Sequence, residues 1–169
     1  MVDLLSYPAC ATALLQRAPE GDQAGIMKGE EMTEEDYHRY IAAFNARDYD
    51  ALETFFADDF ALENAGFRVQ GKPAFREFYA FFHQFCLEEV IFKEFFPGRN
   101  GFVSNVVIRF TGIEDLSAEV LAEKGYSGMS VVPRGVSVDV EFYIHYLLNA
   151  EGKIQYIKGA VWVPEAKQG

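Results

Sequence analysis

Cysteine, histidine and positive charge are all scarce in this chain, and each scarcity removes a class of function. Cys10 and Cys86 are the two cysteines among 169 residues. Two so far apart make neither a disulfide framework nor a metal-binding pattern, and Cys86, in a Phe-rich segment, is expected to pack as a small apolar side chain. A reducing, cytoplasmic interior is the expected compartment. His38, His83 and His145 are too scattered for metal-ligand spacing. No glycine-rich phosphate loop and no nucleophile elbow occur. The reading is therefore no metal, no cofactor, no nucleotide and no covalent catalysis. Lys and Arg number 15 against 26 Asp and Glu, a net charge of −11. That balance argues against nucleic acid and anionic membrane surfaces as partners, since phosphate contacts need clustered basic residues. No apolar run approaches the roughly 18 residues that would span a bilayer. The mildly apolar stretch from Ala9 to Leu15 lacks a positively charged flank and is not expected to be a secretory signal.

Aromatic rings are abundant instead. The chain has 16 Phe and 9 Tyr, and half of its residues are hydrophobic. A disordered chain is excluded. So many rings in one domain mean either a very full core or an apolar pocket lined with them.

Residues 1–31 read as an appendage, a short helix over Leu4 to Arg17 followed by a Gly-containing linker, and residues 32–169 as one self-sufficient domain. Thr33 is an N-cap candidate with Glu34, Glu35 and Asp36 in the first turn. Tyr37, Tyr40, Ile41 and Phe44 then recur with helical spacing. Asp48 or Asp50 caps a second short helix ending near Ala57. Phe60 to Asn64 reads as a strand, and 66–71 as a turn plus a short extended piece. A third helix starts at Lys72-Pro73, with Phe75, Phe78, Tyr79, Phe82 and Cys86 as its buried stripe. Four strands follow, over Glu89 to Phe96, Phe102 to Thr111, Val136 to Leu148 and Lys153 to Val163. Residues 149–152 form a hairpin loop. Residues 112–135 form a long insert with helical character over Asp115 to Lys124, capped by Ser117 or Asp115. Helices first and strands after them indicate α+β, with helices packed on one face of a curved antiparallel sheet.

That order, together with Tyr40-Ile41-Ala42-Ala43-Phe44-Asn45, Phe56-Ala57-Asp58-Asp59, Gly71 with Arg76-Glu77-Phe78-Tyr79-Ala80, and His145 with Gly152-Lys153-Ile154, resembles the superfamily of nuclear transport factor 2, scytalone dehydratase, SnoaL-like polyketide cyclases and ketosteroid isomerase. The resemblance covers about residues 33–97 and 143–163. It implies a cone-shaped, cystatin-like roll with three helices on the concave face of the sheet. In the ketosteroid isomerase branch a tyrosine on the first helix donates to a developing oxyanion, a carboxylate on the first strand moves the proton, and a second, neutral carboxylic acid adds a donor. Laid on that pattern, the tyrosine is Tyr40. The base position falls on Asn64, which takes no proton at neutral pH, and the second acid position falls on Ile144.

Strand alternation assigns the two sheet faces. Inward are Ser104, Val106, Ile108 and Phe110, then Phe142, Ile144, Tyr146 and Leu148, then Gln155, Ile157, Gly159 and Val161. Outward are Asn105, Arg109, Asp139, Glu141, Tyr143, His145, Tyr156, Lys158 and Trp162, a mixed aromatic and charged face suited to pairing as a homodimer. Tyr40, Asn64 and Tyr146 are the candidate catalytic residues. Phe44, Phe56, Phe78, Phe82, Val106, Ile108, Phe110, Phe142, Ile144 and Val161 are the candidate ligand-binding set. Asn64 has an alternative use in an Asx turn before Gly66. His83, off the Phe stripe, and His38 are expected to face solvent, and His145 with Glu141 to lie on the outer face. The reading is a cofactor-independent isomerase, cyclase or dehydratase acting on a hydrophobic, oxygenated small molecule of polyketide or terpenoid type. A non-catalytic dimeric binding module and a protein-interaction scaffold are the alternatives.

Overall fold

The computed structural model describes residues 31–64, 67–126, 129 and 132–163, so the helix and linker expected before residue 31 lie outside them. The first helix, α1 (Glu34–Ala46), starts where the acidic first turn places it. The Thr33 hydroxyl oxygen accepts from the Asp36 amide at 3.1 Å, and the Asp36 carboxylate accepts from the Thr33 amide at 2.9 Å. This reciprocal cap is worth about 1 kcal/mol. The helix stops at Arg47, which takes a left-handed φ of 56°. Tyr37, Tyr40, Ile41 and Phe44 form its buried stripe, as their spacing predicts.

Asp48 caps α2 (Tyr49–Glu53) by accepting from the Ala51 amide. This helix is shorter than expected. The chain turns at Thr54 and enters the sheet as β1 (Phe56–Asn64), with the Ile154 amide donating to the Phe55 carbonyl at 2.8 Å. Phe56 and Phe60 stack at 4.1 Å. A four-residue spacing puts two rings on one side of either a helix or a strand, so periodicity alone does not separate the two.

β2 (Phe67–Gln70) returns antiparallel to β1. Gly71, at a φ of 82°, turns the chain into α3 (Lys72–Phe82), whose Phe75, Phe78, Tyr79 and Phe82 are buried as predicted. Cys86 is not on that helix. The chain leaves α3 at His83, and Cys86 opens the long strand β3 (Cys86–Gly98), three residues before the expected start. The remaining strands are β4 (Gly101–Gly112), β5 (Ser137–Leu148) and β6 (Ile154–Trp162).

The six strands lie in the order β2-β1-β6-β5-β4-β3. All neighbours are antiparallel except β1 and β6, so the sheet is mixed where an antiparallel one was expected. The hairpin partner β2 takes one edge of β1, and the last strand reaches the other edge running in the same direction. The sheet does not close, and β2 and β3 are its edges.

A fourth helix, α4 (Ala118–Glu123), lies in the insert, capped by Ser117. Leu116 and Leu121 are buried in the main core, and the Tyr126 ring meets Phe78 at 4.9 Å. The insert therefore carries part of the core. No helix among the described residues is long and apolar enough to cross a membrane.

Face assignment by alternation holds along β4 and β5 and breaks on β6. Leu147 pairs with Tyr156 and Leu148 with Ile154, leaving Gln155 as the extra residue of a bulge. Gln155 is exposed and donates to Asp59 instead of pointing inward. Asn105 faces outward yet is buried, because its side-chain amide donates to Glu141 at 2.9 Å and to the Phe142 carbonyl at 3.2 Å. The rest of that outer face is built of ion pairs, Arg109 with Asp139 at 2.8 Å and Lys93 with Glu141 at 3.2 Å. Tyr143 and Trp162 stand exposed on the same face.

Candidate functional site

Between α1, α3 and the inner sheet face lies a cavity of about 60 Å³, walled by Tyr40, Phe44, Leu62, Asn64, Tyr79, Glu88, Val90, Ile108, Phe110, Ile144, Tyr146, Ile157 and Gly159. It brings together Tyr40, Asn64 and Tyr146, the three candidate catalytic residues, with Phe44, Ile108, Phe110 and Ile144 of the candidate binding set. Phe56, Phe78 and Phe82 lie in the core beneath and do not reach the wall. Val106 and Phe142 are buried beside Ile108 on the same sheet face, in a separate cluster. Val161 is 45% exposed and lies outside the wall.

One end of the cavity is phenolic. Tyr37 and Tyr146 share a buried hydrogen bond of 3.1 Å between hydroxyls, and Tyr37 stacks on Tyr40 at 5.7 Å. Phe102 stacks on Tyr146 at 4.5 Å. Burial first, then the neighbouring Tyr37, pushes the Tyr40 hydroxyl far above its ordinary value. Burial does the same to Tyr146. Both phenols are thus fixed as neutral hydrogen-bond donors. Tyr37, the fully buried hub of this group, was not singled out in the sequence because its spacing marks it only as core.

Asn64 extends inward from β1 over Gly159. A Cβ on Gly159 would come within 3.0 Å of the Asn64 side-chain oxygen, so the glycine makes room for that amide.

The other end of the cavity is acidic. Because β3 starts early, Glu88 shares the inward face with Val90 and pairs across to Phe110, with Val90 opposite Ile108. Asn45 of α1 holds this strand in place, donating to the Val90 carbonyl at 3.0 Å and accepting from its amide at 2.8 Å. The Glu88 side chain is 9% exposed and that of His83 only 7%, with 3.4 Å between Glu88 Oε2 and His83 Nε2. His83 is therefore not a solvent-facing helix residue. It is the C-cap of α3, and the turn after it folds the imidazole beneath Glu88, with Tyr79 at 5.2 Å between ring centres. The pair is close but not aligned as a hydrogen bond, so Nε2 and Oε2 are each left without a partner. Such an atom costs on the order of 1–3 kcal/mol. The other imidazole nitrogen, Nδ1, is 2.8 Å from the Tyr49 hydroxyl.

Desolvation raises the Glu88 carboxyl above the ordinary carboxylate range, with His83 opposing. The same burial, with Glu88 beside it, pushes the Cys86 thiol up to about 11. The sequence signal for Glu88 was an acid alternating with Val90 and Phe92, and its detection depended on where the strand began.

His38 is exposed, as expected, with its ring against Phe92 at 4.4 Å. His145 is exposed on the outer face. A larger hollow of about 340 Å³ lies at the surface between Met32, Asp36, Arg39, Thr54, Phe55 and Lys153. Its cations are engaged, Arg39 with Asp36 and Lys153 with the Thr54 carbonyl, and hydrogen bonds from Thr33, with Arg39 beside it, hold the Asp36 carboxyl below its ordinary value. Among the described residues no cluster of three His, Cys, Asp or Glu is placed to hold a metal ion.

The family model described as a SnoaL-like domain matches residues 37–157. No curated protein is similar to the chain in sequence. Many solved structures share the fold. A putative polyketide cyclase from Silicibacter is 21% identical with a TM-score of 0.61, over 75% of this chain and 86% of that one. TerC, co-crystallised with polyporic acid, is 14% identical with a TM-score of 0.58, over 76% and 89%. A Mycobacterium tuberculosis protein in complex with estradiol-17β-hemisuccinate is 18% identical with a TM-score of 0.55, over 75% and 90%. Likenesses at this level of identity show the fold, and the ligands belong to those proteins.

Proposed function

The chain belongs to the SnoaL-like domain family, and on that premise we propose that it is a cofactor-independent isomerase, cyclase or dehydratase acting on a hydrophobic, oxygenated small molecule of polyketide or terpenoid type. The observation that carries this reading is a buried carboxyl, Glu88, in the same apolar cavity as the phenols Tyr40 and Tyr146.

Enolisation and dehydration both need a group that gives and takes a proton beside a group that stabilises charge on oxygen. Neither family position, Asn64 or Ile144, supplies an acid here. Glu88 supplies one from a different strand, its carboxyl raised above the ordinary value by burial. Tyr40 donates to the developing oxyanion, with Asn64 and Tyr146 orienting the ligand. A dry cavity strengthens each such hydrogen bond. A volume of about 60 Å³ is well below the roughly 300–1,000 Å³ of ligand pockets. Phe110 and Ile144, half-buried in its wall, are the side chains that would swing aside on entry. The fold's record of holding polyporic acid and a steroid ester in other members supports the ligand class.

Tyr40→Phe tests the reading. Binding of polyporic acid or estradiol-17β-hemisuccinate, measured by calorimetry, should survive within about threefold, while turnover of any substrate found should fall about 100-fold or more. Unchanged turnover would remove Tyr40 from the mechanism. The alternative, a binding module without chemistry, is favoured by the loss of both family acid positions. Tight binding with no product over a panel of oxygenated ligands, and equal binding by Glu88→Gln, would establish it.

A further inference from the structure

We propose that Glu88, His83 and Tyr49 form a proton relay from the wall of the cavity to the protein surface, in which Glu88 exchanges a proton with bound ligand and His83 and Tyr49 are positioning residues that restore it. The inference rests on the cavity being the ligand site.

The geometry is a continuous line across three elements. Glu88 on β3 is part of the cavity wall. Behind it, His83 at the end of α3 places Nε2 3.4 Å from Glu88 Oε2, and neither atom has another partner. On its far side, Nδ1 lies 2.8 Å from the Tyr49 hydroxyl in the first turn of α2. Tyr49 is half-buried and stacks on the imidazole at 18° between planes. The Arg76 guanidinium sits 5.9 Å from the Tyr49 ring and is itself tied to Glu53 and Asp50 at the surface. A pair serving packing alone would be replaced at no loss by apolar side chains. Here an acid and an imidazole are buried together with their facing atoms unsatisfied and the outer nitrogen connected outward.

With Tyr49 donating to Nδ1, the imidazole proton sits on Nε2 and faces Glu88. When the Glu88 O–H bond breaks and its proton goes to a ligand oxygen, the carboxylate takes the Nε2 proton. As the Nε2 proton leaves, Nδ1 takes the Tyr49 proton and the Tyr49 oxygen takes one from water in a single concerted shift, so that neither imidazolate nor phenolate forms and hydroxide is left in solvent. One proton has passed from solvent to ligand. Loss of a proton by the ligand later runs the same steps backwards and resets the imidazole tautomer. The titratable groups facing the pair are Tyr40 from α1, Tyr49 from α2, Tyr79 from α3 and Cys86 on β3 itself. Arg47 and Arg76 act on Tyr49, and the base acting on Glu88 is His83.

Infrared titration of the full chain tests this. A protonated-carboxyl C=O band should persist above the ordinary carboxylate range and vanish in Glu88→Gln. His83→Gln should move its midpoint by at least one pH unit, a tenfold change in the dissociation constant. Tyr49→Phe keeps the ring stack, should move the midpoint by a smaller amount, and should change the His83 tautomer populations in nitrogen-15 NMR. Should His83→Gln fail to fold, the Tyr49→Phe results decide. A Glu88 band that ignores both substitutions, or no such band at any pH, overturns the relay and leaves the ligand site standing. A band that moves as expected, with no binding of polyporic acid or estradiol-17β-hemisuccinate, sinks the ligand site and Glu88's exchange with it.

Discussion

The two ends of the cavity are built on opposite principles. At the phenolic end Tyr37, Tyr146 and Phe102 are nearly or wholly buried, their rings in mutual contact and the two hydroxyls paired. That end is stable because polar atoms are few and satisfied. At the acidic end the side chains of a carboxyl and an imidazole are less fully covered but still mostly buried, and two of their atoms face each other without a hydrogen bond. The first end resembles ordinary core and the second departs from it. A site that stores unsatisfied polarity in an apolar wall does so at a cost in stability, and such departures are where function concentrates.

Three substitutions would sharpen or break that contrast. Tyr37→Ala should have the largest effect, lowering unfolding free energy in urea by about 3–5 kcal/mol, since it empties a fully buried ring site and leaves the Tyr146 hydroxyl unpaired. A loss under about 1 kcal/mol would show the phenolic end to be loosely packed. Glu88→Gln should act the other way. The folded Glu88 carboxyl titrates above the unfolded value near 4.5, so the folded state holds a proton that the unfolded chain releases. Wild-type stability should therefore fall as pH rises from that value towards the folded pKa, by up to about 1.4 kcal/mol per pH unit. The variant should lose this slope and be the more stable protein at the upper end. Parallel stability curves from pH 4 to pH 8 would mean that Glu88 is solvated. Gly159→Ala should be the mildest, costing about 1–3 kcal/mol as the new methyl group crowds the Asn64 amide. Thermal unfolding measures that cost, and no change would place Asn64 away from the cavity.

Much of the framework was legible in residue order. The Thr33 cap, the Tyr37-to-Phe44 stripe, the Pro73 start of α3 and the alternation of β4 and β5 each follow from a local rule, and each is found where that rule puts it. Tyr40, Asn64 and Tyr146 meet in one cavity for the same reason, because strand parity and helix periodicity carry direction as well as type. The misreadings fall at element ends and ladder irregularities. α2 ends early and Cys86 leaves the helix at junctions where one periodicity gives way to another, and Gln155 is displaced by a bulge within the β5–β6 ladder.

Local pattern, then, was enough to specify the α+β order, the ring-rich inner face and the phenols directed into it. It could not place the acid. Glu88 faces the cavity only because β3 begins at Cys86, a boundary set by the pairing of Cys86 with Gly112 at the far end of the β3–β4 hairpin. His83 is buried only because the turn after α3 folds it against Tyr49 and Glu88. Interactions between neighbours along the chain are encoded locally. Burial of a charge depends on what packs over it, and that is decided when the whole sheet and its helices assemble.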